Sequence, residues 1–406
     1  MTAPVVVIDN GTGFTKMGYA GNEEPTFIIP STYADAPAKG RLTSGADGTL
    51  DDLDFDIGYA ATARPNAAMR YPIQHGIVED WDKMERMWQH CIYKYLRIEP
   101  QEHGFVLTEP PANPPENREF TAEVMFETFG AKSLLIAVQG VLALTASWKS
   151  RKAAKLGLEG VATGTVIDSG DGVTHVIPIA DGYVIGNAIK HIPIAGRDIT
   201  NFVLDKLRER NAQIPSEEAL FVAQKIKEKY CYVAAAMDAE FNAYDDDPAQ
   251  YFRTHRERHR KTGQEYSFEV GYEQFLGPEV FFSPDIFSTV HTKPLPQLVN
   301  DVIQSCPIDV RKALYRNVVL SGGTSMFRKF DSRLQRDLRQ LVNDRLGERA
   351  ANVEVNVVSH ERQRYAVWYG GSVVGASPQF ATRSISKKQY DEEGPAVCRR
   401  NAMFAA

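Results

Sequence analysis

Two short acidic, glycine-rich runs carry the clearest capacity for chemistry. Asp9-Asn10-Gly11-Thr12-Gly13-Phe14-Thr15-Lys16 lies near the start, and Asp168-Ser169-Gly170-Asp171-Gly172-Val173-Thr174-His175 repeats its plan 159 positions later. Each reads acid, small polar residue, Gly, any residue, Gly, any residue, Thr, then a side chain able to carry positive charge. Each follows an apolar β-branched run, residues 5–8 and 165–167, so each predicts a strand ending in an acidic glycine turn.

A glycine turn after a strand aims successive backbone N–H groups at one point and makes an anion nest. Two such turns facing each other would grip a polyphosphate from both sides. Thr12 and Ser169 add hydroxyl donors, and Lys16 adds a point charge. Asp9 and Asp168 would repel phosphate. Their consistent role is to hold a divalent cation through water, because Mg²⁺ keeps much of its hydration shell. A tight turn using Asp and Gly for positive φ explains a single copy about as well. The pair, with Thr15 and Thr174 matched, favours a nucleotide, as does a third glycine turn at Ser321-Gly322-Gly323-Thr324 opening a helix. That third turn would sit near the α-phosphate or the base.

Single residues leave alternatives open. Gln139 is either an amide satisfied by backbone or a water-orienting group, as Gln is used in GTPases. His175 is either a proton acceptor or a plain hydrogen-bonded histidine. Lys227 and Glu228 default to a solvated helix face. Trp81, Trp88 and the tyrosines near Tyr230 read as core rather than as a ligand box.

The positioning elements alternate. After the first hairpin, residues 31–70 form a polar lobe with few large apolar side chains and an acidic patch at Asp47, Asp51, Asp52, Asp54 and Asp56. Residues 79–97 predict a helix, with Trp81, Met84, Trp88, Cys91, Ile92 and Tyr95 at helical spacing. A strand at 105–107 ends at Thr108-Glu109-Pro110-Pro111; a helix at 118–129, a strand at 133–138 and a helical run at 140–148 follow. Residues 149–160 read as a basic loop insertion. Beyond the second hairpin, Asp198 is expected to cap a helix over 199–210 and Ser216 one reaching about 233. Residues 245–263 read as a charged, exposed excursion. Helices at 296–306 and 309–315 lead to a strand at 317–320. A further helix carries Phe327, Phe330, Leu334, Leu338 and Leu341, before a strand at 353–358 and a helical run at 365–376. Strands alternating with helices predict an α/β fold, and the repeated hairpin predicts two related halves.

Composition excludes several classes. The chain has 406 residues, 43% of them hydrophobic and 24% charged, with a net charge of −6. No general attraction to nucleic acid follows. The basic run from Arg253 to Lys261 reads as an exposed face. Four scattered cysteines offer no zinc or Cys-x-x-Cys spacing. No secretory signal is expected. The longest apolar stretch, 134–148, contains Gln139 and is too short to span a membrane, so no membrane insertion is expected.

The paired turns, Ser321-Gly322-Gly323-Thr324 and Tyr365-Ala366-Val367-Trp368 resemble the actin family, whose fold is shared with sugar kinases and with heat-shock chaperones. The likeness runs from about Val5 to the end of the chain. Four stretches resemble one actin-related branch: Gly76-Ile77-Val78-Glu79-Asp80-Trp81-Asp82, Thr108-Glu109-Pro110-Pro111, the run from Lys190 to Thr200, and Cys306-Pro307-Ile308-Asp309-Val310-Arg311. The insertions at 149–160 and 245–263 fit that branch better than actin. It supplies the large actin-like subunit of a seven-subunit complex that also holds actin-related protein 2.

The resemblance implies an actin-like ATPase fold of two duplicated α/β domains, each with a smaller subdomain and with a nucleotide cleft between them. The implied subdomains are 1–31 with 72–146 and 366–406; 32–71; 147–194 with 286–365; and 195–285. It implies ATP or ADP with Mg²⁺ or Ca²⁺. Gly11, Thr12, Gly13, Phe14 and Lys16 would meet the phosphates from one side, and Ser169, Gly170, Asp171, Gly172 and Val173 from the other. Asp9, Gln139 and Asp168 would surround the hydrated cation. Gln139 and His175 would order the attacking water. Gly196, Lys227, Glu228, Gly322, Gly323, Met326, Phe327 and Arg364 would form the adenosine pocket. Arg364 stands where actin has Lys, and Gln224 where actin has Arg. Residues 40–70 do not preserve actin's subunit-contacting loop. The implied partners are actin-related protein 2, the other complex subunits, actin filaments and nucleation-promoting activators. The implied function is ATP-gated nucleation of branched filaments, with at most slow hydrolysis. Two rivals remain: a small-molecule kinase, for which no acidic general base can be assigned, and a self-polymerising actin.

Overall fold

The computed structural model describes residues 4–35, 55–63, 68–74 and 76–399. They form an α/β fold of two compact units, residues 1–146 with 365–406 and residues 147–364. The acids Asp47, Asp51, Asp52 and Asp54, and most of the stretch compared with actin's subunit-contacting loop, lie outside the described residues.

The first unit is built on a six-stranded sheet. Its order is Ile385–Ser386, Ser133–Val138, Gly104–Glu109, Val6–Asn10, Phe14–Tyr19 and Phe27–Pro30. The three central strands are parallel. Val6–Asn10 and Gly104–Glu109 are buried along their whole length, as parallel strands covered on both faces must be. Helix Ala366–Gly375 lies close against helix Gln139–Ser147 and strand Val6–Asn10. Trp368 Nε1 donates to the Val7 carbonyl at 3.1 Å. A Cβ on Gly370 would sit 1.9 Å from the Leu142 carbonyl oxygen, and one on Gly371 2.8 Å from Val7 Cγ1.

The second unit repeats this plan. Its sheet runs Tyr183–Val184, Thr174–Ala180, Gly164–Ser169, Val318–Ser321 and Val357–Val358, with Lys190–Ile192 also paired to Thr174–Ala180. Gly164–Ser169 and Val318–Ser321 are parallel. Helices Gly196–Glu209, Ala219–Tyr230, Leu295–Ser305 and Phe330–Leu346 line its hydrophobic core.

Several expectations need correction. The described ends of the 31–70 lobe are not poorly cored: Tyr33, Phe55 and Ile57 are buried in the first unit's core. The 79–97 helix is α-helical over Trp81–Gln89, with Asp80 accepting from Lys83 N–H as N-cap, and becomes π-helical over His90–Leu96. The 149–160 loop contains helix Arg151–Leu156, capped by the Ser150 side chain and ended by left-handed Gly157. Asp198 is not an N-cap. Helix Gly196–Glu209 starts two residues earlier, and the Asp198 carboxylate accepts from Ala195 N–H at 2.9 Å. Ser216 caps nothing, since the next helix is Ala219–Tyr230 with Glu218 before it. The 245–263 excursion holds the end of helix Met237–Asp246, helix Pro248–Tyr251 and strand Arg253–Arg258, which pairs with Glu265–Val270. The basic run is therefore a strand and tip rather than a loose face. His255 points inward, and Arg258 and Lys225 pair with Glu265 and Glu257 at 2.9 and 2.6 Å. Val342, not Leu341, completes the buried stripe of Phe330, Leu334 and Leu338. The 353–358 strand shrinks to Val357–Val358. The four cysteines are buried and free, and burial pushes the Cys91 thiol up to about 12.

The contact between Gly370 and Leu142 is backbone against backbone and cannot give way by a rotamer change. Gly370→Ala is expected to cost at least about 3 kcal/mol, read from the urea midpoint. Gly157→Ala meets nothing within 4 Å and strains only a φ of +64°, so about 1–2 kcal/mol is expected there. Equal costs at the two sites would refute this packing argument.

Candidate functional site

The two hairpins have one register. Asp9 lies opposite Lys16 and Asn10 opposite Thr15; Asp168 lies opposite His175 and Ser169 opposite Thr174. The closing bond falls at the same place in both. Gly11 N–H donates to the Phe14 carbonyl at 3.2 Å, and Gly170 N–H to the Val173 carbonyl at 3.3 Å. The N–H groups of Thr12, Gly13, Asp171 and Gly172 reach no backbone acceptor among the described residues. Each turn thus presents two successive amides, the donor set an anion nest needs.

In the first unit the turn is held by a polar chain. Lys16 Nζ lies 2.6 Å from Asp9 Oδ2. The Thr108 hydroxyl donates to Asp9 Oδ1 at 2.8 Å and accepts from Asn10 N–H at 3.2 Å. Asn10 Oδ1 accepts from Trp88 Nε1 at 3.1 Å, so Trp88 is a core residue with a polar handle. Gln139 starts its helix beside this turn, and its amide donates to the Asn10 carbonyl at 3.4 Å, a long bond that holds it weakly. Thr12 Oγ1 accepts from Gly76 N–H at 3.1 Å. Gly13 and Phe14 complete the turn.

In the second unit three segments converge on the turn. The Gly170 carbonyl accepts from Gly196 N–H at 3.0 Å and from the Thr324 hydroxyl at 2.7 Å. The Asp171 carbonyl accepts from Arg197 N–H at 2.9 Å, and its carboxylate from the Arg197 guanidinium at 2.8 and 3.2 Å. Lys227 Nζ donates to the Gly196 carbonyl at 2.7 Å. Gly322 adopts φ +86°, and a Cβ there would lie 2.1 Å from the Ser169 carbonyl oxygen. Gly196, Lys227, Gly322 and Gly323 are therefore gathered around Gly170 and Thr324, or directly beside them. Glu228, Met326 and Arg364 are exposed, and Phe327 is half-buried on the core. Ser321-Gly322-Gly323-Thr324 opens only the short 3-10 turn Gly323–Met326 rather than an α-helix.

The electrostatics follow burial. Lys227 is buried, not solvated; desolvation lowers its pKa, opposed by the carboxylates of Asp171 and Glu228. Glu228 keeps the solvated position and accepts from Gln224 at 3.0 Å. His175 is buried, and its Nε2 has no partner among the described residues. Its ring meets His191 edge-on at 4.7 Å. Burial, with His191 nearby, pushes its pKa down to about 3. Asp168 is half-buried between His175 and Ser321 in the sheet. No group of three His, Cys, Asp or Glu side chains able to hold a metal ion directly occurs among the described residues.

Two contributors lie outside the glycine motifs: Thr108 and Arg197. A polar residue ending the apolar strand before Pro110 is a usable signal for Thr108. The pairing of Arg197 with Asp171 depends on tertiary contact and has none.

This geometry, with its duplicated α/β plan, is that of an actin-like fold. The actin family profile matches residues 2–403, and the chain belongs to the actin family. It is 53% identical over 412 residues to actin-related protein 3 of Dictyostelium discoideum, covering 99% of this chain and 97% of that one. It is 52% identical to actin-related protein 3 of Caenorhabditis elegans and of Acanthamoeba castellanii, covering 99% of this chain and 98% of each. The likeness therefore holds at the level of the actin-related protein 3 branch.

Two desolvated histidines set a pH dependence. His360 is half-buried with its Nε2 enclosed, and desolvation and Arg362 push its pKa down to about 4. Between the unfolded value near 6.5 and these folded values, the unfolded chain binds protons that the native chain refuses. Stability is thus unaffected above about pH 6.5 and falls as pH drops below it. Each histidine is expected to cost about 2 kcal/mol by pH 5. Urea midpoints from pH 7.5 to 5 check this, and His175→Gln should flatten the descent. An unchanged slope in that variant would place His175 in water.

Proposed function

We propose that the chain binds ATP or ADP with Mg²⁺ or Ca²⁺. We propose also that it pairs with actin-related protein 2 in a seven-subunit complex that nucleates branched actin filaments under nucleation-promoting activators. One observation carries the nucleotide reading: two glycine turns of identical register, each offering two successive unpaired amides. The assembly reading is supported by relatives named actin-related protein 3 along the whole chain. Association with the actin cytoskeleton follows from the same reading.

Gly11, Thr12, Gly13, Phe14 and Lys16 hold phosphates from the first unit, and Ser169, Gly170, Asp171, Gly172 and Val173 from the second. Asp9, Gln139 and Asp168 would hold the cation through water, because Mg²⁺ keeps much of its hydration shell. When bound, the cation would supply positive charge against the phosphates. Gly196, Lys227, Glu228, Gly322, Gly323, Met326, Phe327 and Arg364 serve the adenosine side. Gln139 orders the attacking water. His175, kept neutral by burial, accepts or donates one hydrogen bond to that water without adding charge.

A nucleotide engaged by both units favours the arrangement that satisfies both. A ligand at about 1,000 times its Kd stabilises the bound form by about 4 kcal/mol. That is enough to shift a conformational equilibrium if affinity differs between forms.

Affinity capture of the full chain from its own cells in Mg-ATP is expected to recover a second actin-like protein in equal amount. Recovery of no such partner, or sedimentation of the isolated chain as long filaments, would sink the assembly reading. Gln139→Ala is expected to slow hydrolysis at least about tenfold with nucleotide affinity nearly unchanged. Lost binding would move Gln139 to a structural role.

A further inference from the structure

The second hairpin holds a hydroxyl whose proton is already committed. Thr174 Oγ1 lies 2.7 Å from the Ile194 carbonyl oxygen and 2.7 Å from Ser169 Oγ. A carbonyl only accepts, and a threonine hydroxyl has one proton. Thr174 therefore donates to Ile194, and the Ser169 proton must go to Thr174. Both side chains are fully buried. In this arrangement Ser169 offers no proton to a phosphate.

Freedom to change lies in one torsion. The Ser169 backbone is pinned by its ladder to Thr174 and by Gly322, packed so closely that a Cβ there would meet the Ser169 carbonyl at 2.1 Å. Only rotation of the side chain can redirect the hydroxyl. The first hairpin lacks this competition. At its matched positions the Asn10 side chain accepts from Trp88, and Thr15 pairs with Ser31 at 2.8 Å.

We infer that Thr174 is a positioning residue that competes with a bound phosphate oxygen for the Ser169 proton, and so mutes the contribution of Ser169 to nucleotide affinity. The inference rests on the nucleotide reading above. A phosphate that takes the proton gains only the difference between its charge-assisted bond and the neutral bond it replaces. Removing the Thr174 hydroxyl frees the proton and lets Ser169 act in full.

The test is a double-mutant cycle on the full chain, with Mg-ATP Kd as the readout. Comparing the Ser169→Ala penalty in two backgrounds cancels any general disturbance from the orphaned Ile194 carbonyl. The penalty is expected to be about five- to tenfold larger in Thr174→Val than in the wild-type background. In Thr174→Ser, which keeps the hydroxyl, it should return to the wild-type value. Should Thr174→Val fail to fold, Thr174→Cys, a weak acceptor, is expected to raise the penalty in the same sense. A penalty equal within twofold in all backgrounds overturns the inference while leaving nucleotide binding intact. A wild-type chain that binds no Mg-ATP overturns the nucleotide reading and the inference together.

Discussion

The second unit depends on one carbonyl group. Gly170 O receives both the Gly196 N–H and the Thr324 hydroxyl, so a strand end, a helix start and a third turn meet at one atom. That meeting requires glycine on two sides. A Cβ on Gly196 would lie 2.6 Å from Thr324 Oγ1, and one on Gly322 would strike the Ser169 carbonyl. Backbone cannot be displaced as a long side chain can. The unpaired amides of Asp171 and Gly172 therefore owe their direction to residues far along the chain, not to their own hairpin. An isolated acidic glycine turn would fluctuate; this one is preorganised.

The duplication keeps the backbone and changes the electrostatics. At the last matched position the first hairpin has Lys16, ion-paired to Asp9, and the second has His175, held neutral. The strand beside each acid supplies Thr108 in one unit and Ser321 in the other. Thr108 is satisfied by Asp9, whereas the Ser321 hydroxyl has no partner among the described residues. One turn thus carries a closed polar chain around the Lys16–Asp9 pair. The other sets an Asp171–Arg197 ion pair beside the neutral His175 and the under-satisfied Ser321. Identical registers thus carry two different chemical environments.

What was legible in the sequence follows from how local each cause is. The hairpins were legible because glycine at a turn is a backbone requirement. The helices with core stripes were legible because burial repeats at three and four. Lys227 also had a readable position: Ala219, Val222, Ala223 and Ile226 are buried on one stripe, and position 227 continues it. Charge composition masked that signal. The hairpin of Arg253–Arg258 with Glu265–Val270 was missed because charged residues fill its outer face, and only His255, Phe268 and Val270 mark the inner one. Helix Arg151–Leu156 had both its Ser cap and its Gly stop, but at six residues it offers too little periodicity to detect. Asp198 misled for a tertiary reason. The Gly170 carbonyl satisfies an N–H of the first turn, so the helix can begin before the best capping residue.

Among the described residues the second unit holds six buried side-chain atoms without a hydrogen-bond partner, and two of them, His175 Nε2 and Ser321 Oγ, belong to residues that flank Asp168 in register, one on each neighbouring strand. Each such atom costs about 1–3 kcal/mol relative to a satisfied one. Lys227 adds the cost of a desolvated ammonium at the same site. The continuous core beneath, from Ile167 and Val176 to Leu320 and Phe330, must offset these costs. Any group that hydrogen-bonds to these atoms recovers part of that free energy, and by linkage the unit is more stable when they are paired. Stability is therefore coupled to hydrogen bonding at the two residues that flank Asp168 in register. Filling the apolar space around them more tightly would raise stability at the expense of that coupling.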